Sequence, residues 1–412
     1  MKRRDFLITG GAIAASVGLG STLASARAPS DQIGIGIIGV GSRGKQHFKF
    51  LQDVPMLKLV ANCDVLPFRL DEAKAAEPGV RTYVDYRDLL NDKDVDAVIV
   101  STHFSEHHPV VLAALDAGKH IYCEKTMIKG IDETREIFDA TQKHPKQIFQ
   151  TGFQYRTSPL FEAAARSIRN GDIGRITAIN CQWNRNGNWR RPVPNPKWER
   201  HVNWRMYREY SGGLVAELCS HQMGFCDWVI GSELQQIQGV GGIDFWVDGR
   251  ETYDNVHVVT RYKSGVTATY ASQTTNSLDG FRIAVLGKKG TIILTTNQGW
   301  TIPEGNAVAS PDNLDLVSGA LVDGWTGASI VGPENAYRTA NERFMQRIDA
   351  PTDDPTPVAL QKFAEAIRDR RQPVSNAASG AKLSAMVQSA IDAMDGRKVI
   401  PWRAENNYQM GP

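Results

Sequence analysis

The sequence predicts an α/β domain with a doubly wound parallel sheet, followed by an α+β domain with a large, mostly antiparallel open sheet. Two observations carry this prediction. From Ile33 onward, short apolar runs alternate with helical stretches, and the run 97–100 is apolar throughout, as expected of a parallel strand buried on both faces. After about residue 150, strand patterns follow one another with few helices between them.

The first domain, residues 31–150, is predicted as strands joined by helices. Strands are expected over Ile33–Val40, Leu57–Cys63, Val95–Ser101 and His120–Cys123, and helices over Lys45–Gln52, Phe68–Ala76 and Pro109–Ala117. Helical connections make consecutive strands parallel, so the carboxyl ends of the strands meet at one edge of the sheet.

The second domain, residues 151–412, is predicted as strands followed by helices. Strands are expected over Ile176–Trp183, Ile237–Val247, Asn255–Tyr262, Val266–Gln273, Phe281–Leu286 and Thr291–Thr295. The segment 298–357 is rich in Pro, Gly and Asp without periodicity, so we expect an irregular excursion there. Helical periodicity returns over Val358–Arg371 and Ala377–Met394, and we place both helices near the domain junction.

A glycine-rich loop, Gly39-Val40-Gly41-Ser42-Arg43-Gly44, joins the first strand to the first helix. This context is typical of dinucleotide binding in a Rossmann domain. Gly39 permits a tight turn, Gly41 lets the backbone approach the pyrophosphate, and Gly44 allows the helix to pack closely on the strand. We therefore expect the loop, including Ser42 and Arg43, to hold the phosphates at the helix N-terminus.

An acidic residue follows the loop at the distance expected for a nucleotide ribose. Asp64 stands 20 residues after Gly44, at the end of the next strand. Its carboxylate is expected to accept hydrogen bonds from the ribose hydroxyls and to repel a 2′-phosphate, which favours NAD over NADP. Arg43 and Arg69 are the alternative, since either guanidinium could bind that phosphate.

Two further segments place reactive side chains where such a sheet binds ligands. The segment 114–125 presents Glu124 and Lys125 at the carboxyl end of a strand. A lysine beside a nicotinamide can lose charge by desolvation and act as acid or base at a carbinol. Glu217 and His221 stand four residues apart, so on a helix they share a face. A zinc site built on that pair lacks a third ligand, and we predict no metal.

These segments resemble the signatures of the Gfo/Idh/MocA family of nicotinamide sugar oxidoreductases. Residues 117–126 are similar to AGKHVxxEKP, with Thr126 in place of the proline. The second segment is similar to GGxxxDxxxH, with Glu217 in place of the aspartate and Gly224 where a second acid often follows. The resemblance spans about residues 32–295.

The resemblance implies an enzyme that moves a hydride between a sugar or glycoside ring hydroxyl and NAD. His221 is then the base for the hydroxyl, Glu217 orients or recharges it, and Lys125 shares the proton chemistry. The family also implies a homodimer or tetramer associated through the open sheet, and no metal. Residues implied near the nicotinamide or in the cleft are Thr102, His107, Glu124, Gln154 and Arg156.

The segment 183–208 combines tryptophans with asparagines and arginines. Ring faces stack on sugar C–H faces, while amides and guanidiniums bind hydroxyls, so the composition predicts a carbohydrate site. We favour Trp189, Arg191 and Tyr207 as its members. The alternative is that these aromatic side chains pack the interior of a long loop.

The first residues predict export. Lys2-Arg3-Arg4-Asp5-Phe6-Leu7 precedes an apolar run and small residues, as in a twin-arginine (Tat) signal peptide over residues 1–28. We therefore expect a periplasmic or otherwise exported protein that folds before it crosses. An uncleaved anchor is the alternative, and no other segment predicts a membrane span.

Composition excludes several classes of partner and scaffold. A net charge of +2 does not favour nucleic acid or an anionic membrane surface. The five cysteines are odd in number and lack CxxC spacing, which argues against a disulfide framework and against zinc. One pair could still oxidise after export.

Export constrains the chemistry, because free NAD is absent outside the cytoplasm. The cofactor must be loaded before export, and the nicotinamide must be reset within each cycle, for example by reduction of a second sugar. The alternative is an NAD-dependent glycoside hydrolase or lyase that oxidises C3, eliminates the aglycone, adds water and returns the hydride, with Tyr207 as a candidate base. A third hypothesis is a binding or scaffold protein that kept the fold and lost the chemistry.

Overall fold

The computed structural model describes residues 32–303 and 345–410. The predicted signal peptide and most of the predicted excursion lie outside the described residues. The described chain forms two sheets, the first with a hydrophobic core on each face and the second with one core, and their helices meet between them.

The first sheet is the predicted doubly wound parallel sheet. Its six strands are β1 (Ile33–Ile38), β2 (Leu57–Cys63), β3 (Arg81–Tyr83), β4 (Ala97–Val100), β5 (His120–Cys123) and β6 (Phe149–Thr151). All pairs are parallel, in the order β3-β2-β1-β4-β5-β6. The order reverses between β1 and β4, so a crevice opens beyond the carboxyl ends of these two strands.

Helices cover both faces of this sheet. They are α1 (Ser42–Gln52), α2 (Pro67–Ala76), α3 (Tyr86–Asn91), α4 (His107–Asp116) and α5 (Ile131–Lys143). The sequence analysis did not predict four elements of this domain, namely β3, α3, α5 and β6. The three-residue strand β3 is exposed or half-buried at the sheet edge, so its sequence carries none of the apolar pattern that marks the central strands.

The second sheet is open and mostly antiparallel, as predicted. Its nine described strands have the order β14-β13-β12-β11-β7-β10-β9-β8-β15. Within this sheet, only the described pair β7–β10 is parallel. The strands are β7 (Ile176–Trp183), β8 (Leu234–Gly242), β9 (Asn255–Tyr262), β10 (Thr267–Gln273), β11 (Phe281–Gly287), β12 (Gly290–Leu294), β13 (Gly299–Pro303), β14 (Gln346–Arg347) and β15 (Ile400–Pro401).

Two strands lie inside the segment predicted to be irregular. β13 pairs with β12, and β14 pairs with β13. Their pairing partners come from outside the segment or from its far end, so a local sequence pattern does not reveal them. β8 also ends at Gly242, five residues before the predicted end, because the chain turns there and the backbone N–H groups of 244–246 donate to the Asp254 carboxylate.

Helices cover one face of the second sheet. The remaining helices are α6 (Pro159–Asn170), α7 (Glu199–Val202), α8 (Ser220–Ile230), α9 (Pro355–Asp369) and α10 (Ala377–Gly396), and a π-helix over Val215–Cys219 leads into α8. Side chains of α6, α8 and α10 form one core with the inner face of the sheet. The opposite face carries the polar positions of each strand, as in β9, where buried and accessible residues alternate.

The last two helices connect the domains. Leu360 and Phe363 of α9 belong to the core of the first sheet, where the Phe363 ring meets Tyr122 with 5.8 Å between centroids. α10 begins in the core on the other face of that sheet, through Ala377 and Ala381, and ends in the core of the second sheet. The first domain is therefore completed by residues that the sequence analysis assigned to the second.

All five cysteines are free and buried. Cys181 and Cys226 lie with their Sγ atoms 3.6 Å apart in the second core. Within residues 32–303 and 345–410, no helix is both long and apolar enough to cross a membrane. The same residues contain no group of three His, Cys, Asp or Glu side chains arranged to hold a metal ion.

Candidate active site

A cavity of about 630 Å³ lies beyond the carboxyl ends of β1 and β4. The first domain supplies the glycine loop, the ends of β2, β4 and β5, and the start of α4. The second domain supplies parts of the loop between β7 and α8, together with α8 itself. Both domains therefore contribute to one crevice, at the position where doubly wound sheets bind ligands.

The glycine loop has the geometry that its sequence predicts. Gly39 has a φ of +92°, and a Cβ there would lie 2.7 Å from the Ser101 backbone. A Cβ on Gly44 would lie 2.1 Å from the Gly39 carbonyl oxygen, so only glycine lets α1 approach the strand this closely. α1 starts at Ser42 with no acidic residue in its first turn, which leaves its positive end free for an anion.

Asp64 lies at the end of β2 and lines the cavity. Its two carboxylate oxygens accept hydrogen bonds from the backbone N–H of Val40, at 3.0 Å, and of Leu66, at 2.9 Å. Burial raises the pKa of Asp64, while the charge of Arg69, whose Nη1 is 3.7 Å away, opposes the shift. Arg69 is therefore the guanidinium beside the ribose position.

Arg43 forms its hydrogen bonds with protein side chains outside the glycine loop. Its Nε donates to Glu124 at 2.7 Å, and its Nη2 donates to Thr356 Oγ1 at 3.3 Å. His47 Nε2 donates to the same Glu124 oxygen at 2.9 Å. Although burial alone raises the pKa of Glu124, Arg43 and His47 hold it well below its usual range. Glu124 thus links α1 to the segment after β5 that contains Lys125. Because Arg43 is bonded to Glu124, it is not available for a 2′-phosphate.

These residues fit a dinucleotide. A Cβ at Gly39 or Gly44 would fill the glycine loop, and the N-terminus of α1 has no compensating acidic residue. Both features suit the pyrophosphate, and the buried Asp64 suits a ribose. Val65 and Val84 line the same end of the cavity and are 59% and 61% exposed, as expected of a wall that an adenine ring covers.

Lys125 reaches across to the second domain. Its Nζ donates to the Glu217 carbonyl oxygen at 2.8 Å and lies 3.8 Å from the Glu217 carboxylate. The Lys125–Thr126 peptide bond is cis, and the Thr126 hydroxyl donates to the Ala216 carbonyl oxygen at 2.9 Å. Burial lowers the pKa of Lys125, and the Glu217 charge opposes this. Thr126 therefore anchors the chain where the family has proline.

Glu217 does not lie beside His221 as an orienting carboxylate. It accepts a hydrogen bond from Arg205 Nε at 2.7 Å and faces Lys125. The segment Val215–Cys219 is a π-helix, so residues four apart are rotated away from the common face that an α-helix gives them. Although burial raises the pKa of Glu217, Arg205 and Lys125 lower it overall. The carboxylate is thus a partner of the lysine.

His221 lines the cavity from an aromatic surround. Its ring lies 5.2 Å from Tyr155, 5.5 Å from Trp183 and 6.0 Å from Phe153 between centroids. Burial, reinforced by the charge of Lys125, lowers the pKa of His221 well below its ordinary value. The imidazole is therefore neutral at physiological pH, the form that accepts a proton.

Gly224 has a packing role. A Cβ at this position would lie 3.0 Å from Leu383 of α10, so α8 and α10 approach closely where the family often has a second acid.

Two residues expected near the nicotinamide, Thr102 and His107, line the cavity. His107 Nδ1 also donates to the Met127 carbonyl oxygen at 2.9 Å, which supports the segment after Lys125.

The five residues expected to bind substrate separate into two groups. Gln154 and Arg191 line the cavity. Arg156 instead directs Nη1 to the Val374 carbonyl oxygen at 3.5 Å, and Tyr207 donates its hydroxyl to Glu199 at 3.1 Å. Trp189, with a φ of +65°, packs on the second core. For Tyr207 and Trp189, the structure supports the alternative of a packed loop interior, while Arg156 contacts the segment around Val374 and does not line the cavity.

Six further side chains line the cavity that the sequence analysis did not favour individually, five from the end of β7 and the loop after it and one from the segment after β4. They are His103, Trp183, Arg185, His201, Trp204 and Arg205. Tryptophan and arginine at these positions fit the composition argument for the segment, but composition alone does not tell which of several tryptophans turns inward. The two histidines carry no spacing that distinguishes them.

Fold and site together define a two-domain, dinucleotide-binding oxidoreductase. A family model described as "Oxidoreductase family, NAD-binding Rossmann fold" (GFO_IDH_MocA) matches residues 33–153, and one described as "GFO/IDH/MocA C-terminal domain" matches residues 161–293. The two matches together cover more than half of the chain. The protein belongs to the GFO/IDH/MocA oxidoreductase family, and its cofactor is NAD.

Named relatives agree with this placement, and solved structures share the fold. The chain is 28% identical over 279 residues to myo-inositol 2-dehydrogenase of Thermotoga maritima, covering 64% of this chain and 79% of that protein. Matches to two other relatives span 57% and 44% of their lengths. Levoglucosan dehydrogenase in complex with NADH superposes with a TM-score of 0.71 at 17% identity, over 90% of this chain and 99% of that one. Aldose-aldose oxidoreductase from Caulobacter crescentus gives 0.68 at 18%, over 90% and 100%.

Proposed function

We propose that the protein oxidises a ring hydroxyl of a sugar, cyclic polyol or glycoside to a carbonyl, or reduces such a carbonyl back to the hydroxyl, using an NAD that stays bound. The observation that carries this proposal is the meeting of Lys125 and His221 in one cavity with the NAD loop. The names of the relatives support the substrate class, since they include dehydrogenases of inositol and levoglucosan.

The residues divide the proton chemistry between them. When bound, a nicotinamide ring takes up or returns the hydride. During oxidation the carbinol C–H bond breaks with its electron pair, the hydroxyl proton passes to the neutral His221, and the C=O bond forms. Lys125 donates a hydrogen bond to that oxygen, while Glu217 keeps the buried ammonium charged. The aromatic rings around His221 exclude water from the reacting carbon.

A glycoside hydrolase or lyase is the second candidate. Tyr207, expected as the base for the C2 proton, lies outside the cavity lining and is bonded to Glu199. His103 lines the cavity and is a substitute, because burial lowers its pKa to about 4 and leaves the ring neutral. Oxidation at C3 acidifies the neighbouring C2 proton, and a neutral imidazole can accept it.

One experiment separates these candidates. Aryl glycosides, inositols and free sugars are added to purified protein without added cofactor, and reduced-nicotinamide absorbance is followed together with leaving-group release. Standing reduction that a second sugar reverses supports the oxidoreductase. Leaving-group release over many turnovers supports the hydrolase or lyase. Silence in both signals with wild-type protein that retains NAD argues for a scaffold. Lys125→Met is expected to abolish either signal, while the exposed Lys362→Met is the matched control.

Export and assembly are further proposals. We infer from the Arg3-Arg4 pair that the folded, NAD-loaded protein is exported by the Tat pathway. Replacing both arginines by lysine is expected to retain the protein in the cytoplasmic fraction, and unchanged fractionation would oppose export by this route. The open face of the second sheet, which carries the exposed Val240 of β8, supports a homo-oligomer, which light scattering on the purified protein tests.

A further inference from the structure

Arg191 reaches from the second domain to the cofactor loop of the first. It was expected among the substrate ligands, yet its Nη1 donates a hydrogen bond to the Ser42 hydroxyl. Ser42 is the first residue of α1, so this contact places the guanidinium at the N-terminus of the helix that follows the glycine loop. That helix end is where a Rossmann domain binds the pyrophosphate of a dinucleotide.

The backbone of Arg191 is held in place from both sides. Asn203, which is buried, accepts a hydrogen bond from the Arg191 N–H at 2.7 Å and donates one to the Arg191 carbonyl oxygen at 3.1 Å. The preceding Arg190 is anchored by Asp248 at 3.0 Å and by Glu199. The loop is therefore fixed against the second domain, while the Arg191 side chain projects across the cavity.

The charges around Arg191 favour an anion. Among the described residues it has no carboxylate partner, whereas Arg205 is paired with Glu217 and Arg43 with Glu124. Burial and the positive charges of Arg205 and Arg69 lower the pKa of Arg191, so its guanidinium lies among cations. An uncompensated cation next to a helix N-terminus is stabilised by a ligand that brings negative charge.

We propose that Arg191 is a phosphate ligand of the dinucleotide, contributed by the second domain, and that it retains the cofactor in the crevice. The planar guanidinium can bind two phosphate oxygens at once, a geometry that a sugar hydroxyl does not need. Retention by a residue from the opposite domain makes cofactor loss depend on separation of the two domains. The proposal rests on the NAD-dependent function above, and it explains how one NAD remains bound over many cycles.

Ligands that carry or lack the phosphates provide the test. Protein freed of NAD by charcoal treatment is titrated calorimetrically with ADP-ribose, which has the pyrophosphate, and with adenosine, which does not. Arg191→Gln is expected to weaken ADP-ribose binding at least about tenfold and to change adenosine binding less than about twofold. Arg191→Lys should fall between, because it keeps the charge without the fork. Arg166→Gln, which removes an exposed charge far from the loop in sequence, is the control and should leave both ligands unchanged.

The outcomes are distinct. Equal weakening of both ligands, or no weakening of ADP-ribose, would overturn the role of Arg191. Unchanged ADP-ribose binding with a raised KM for sugar would return Arg191 to the substrate site. Failure of the wild-type protein to bind ADP-ribose would instead overturn the cofactor assignment. A thermal unfolding midpoint close to wild type confirms that each variant is folded, and loss of NAD from untreated Arg191→Gln during gel filtration supports retention independently of activity.

Discussion

Replacing Glu217 by glutamine tests whether this carboxylate serves Lys125 or His221. The Lys125 Nζ lies 3.8 Å from a carboxylate oxygen, and the two side chains are only 15% and 10% exposed. Coulomb's law at an effective dielectric constant of about 20 gives about 4 kcal/mol for this separation. Coupling free energies measured between contacting residues are smaller than this Coulomb figure, about 0.5–3 kcal/mol, so we expect about 2 kcal/mol between the two residues.

A double-mutant cycle measures this coupling. Urea unfolding is followed for the wild type, Glu217→Gln, Lys125→Met and the double variant. The double variant should be more stable than the sum of the single effects predicts, by about 2 kcal/mol. The pair Glu217→Gln and His221→Asn is the control and should be additive. Additivity for the lysine pair within about 0.5 kcal/mol, or coupling for the histidine pair, would refute the assignment.

The Glu217→Gln variant also allows a kinetic test. Glu217 opposes the lowering of the Lys125 pKa by burial, so its removal lowers that pKa further. Protonated Lys125 is then lost at a lower pH. If the protonated lysine donates to the substrate oxygen, the alkaline limb of kcat/KM shifts to lower pH in Glu217→Gln. An unmoved alkaline limb would show that this limb does not report on Lys125.

Three further predictions concern the base, the loop and pH. His221→Asn should lower kcat about 10²- to 10⁴-fold without changing NAD content, and steady-state kinetics with a nicotinamide assay check this. Gly44→Ala should cost about 1–3 kcal/mol and lose bound NAD, because its Cβ would meet the Gly39 carbonyl, whereas Gly79→Ala, with no atom within 4 Å, should keep both stability and NAD. Burial lowers the pKa of His103 and His221 below the unfolded value, so neutral imidazoles stabilise the fold above pH about 6.5. Stability in urea should therefore fall as pH drops from about 6.5 towards 4, and a flat profile over that range would contradict it.

The sequence was informative where a residue's role depends on local pattern. Central strands such as β4 are apolar throughout, and the glycine loop combines a tight turn with close helix packing that only glycine allows at Gly44. Both features are written in consecutive residues, so fold class and NAD site were predictable. The edge strand β3 and the pair β13–β14 depend on partners distant in sequence, and no local pattern marked them.

The placement of polar side chains was less predictable. Glu217 lies in a π-helix, which the sequence did not indicate, so the expected partnership with His221 gave way to one with Lys125. Tyr207 was expected from composition and Arg156 from the family resemblance, yet Tyr207 contacts Glu199 and Arg156 contacts Val374. Which of several arginines or aromatic residues faces a cavity is decided by packing partners, and one sequence does not show those.

The position of α9 has a consequence for biosynthesis. Its Leu360 and Phe363 complete the core around β1, so the nucleotide domain lacks part of its interior until α9 has left the ribosome. The usual order of events, in which an N-terminal domain folds while synthesis continues, is therefore not expected for this nucleotide domain. We therefore expect cofactor capture to follow the synthesis and docking of α9. A chain truncated before α9 should not retain NAD.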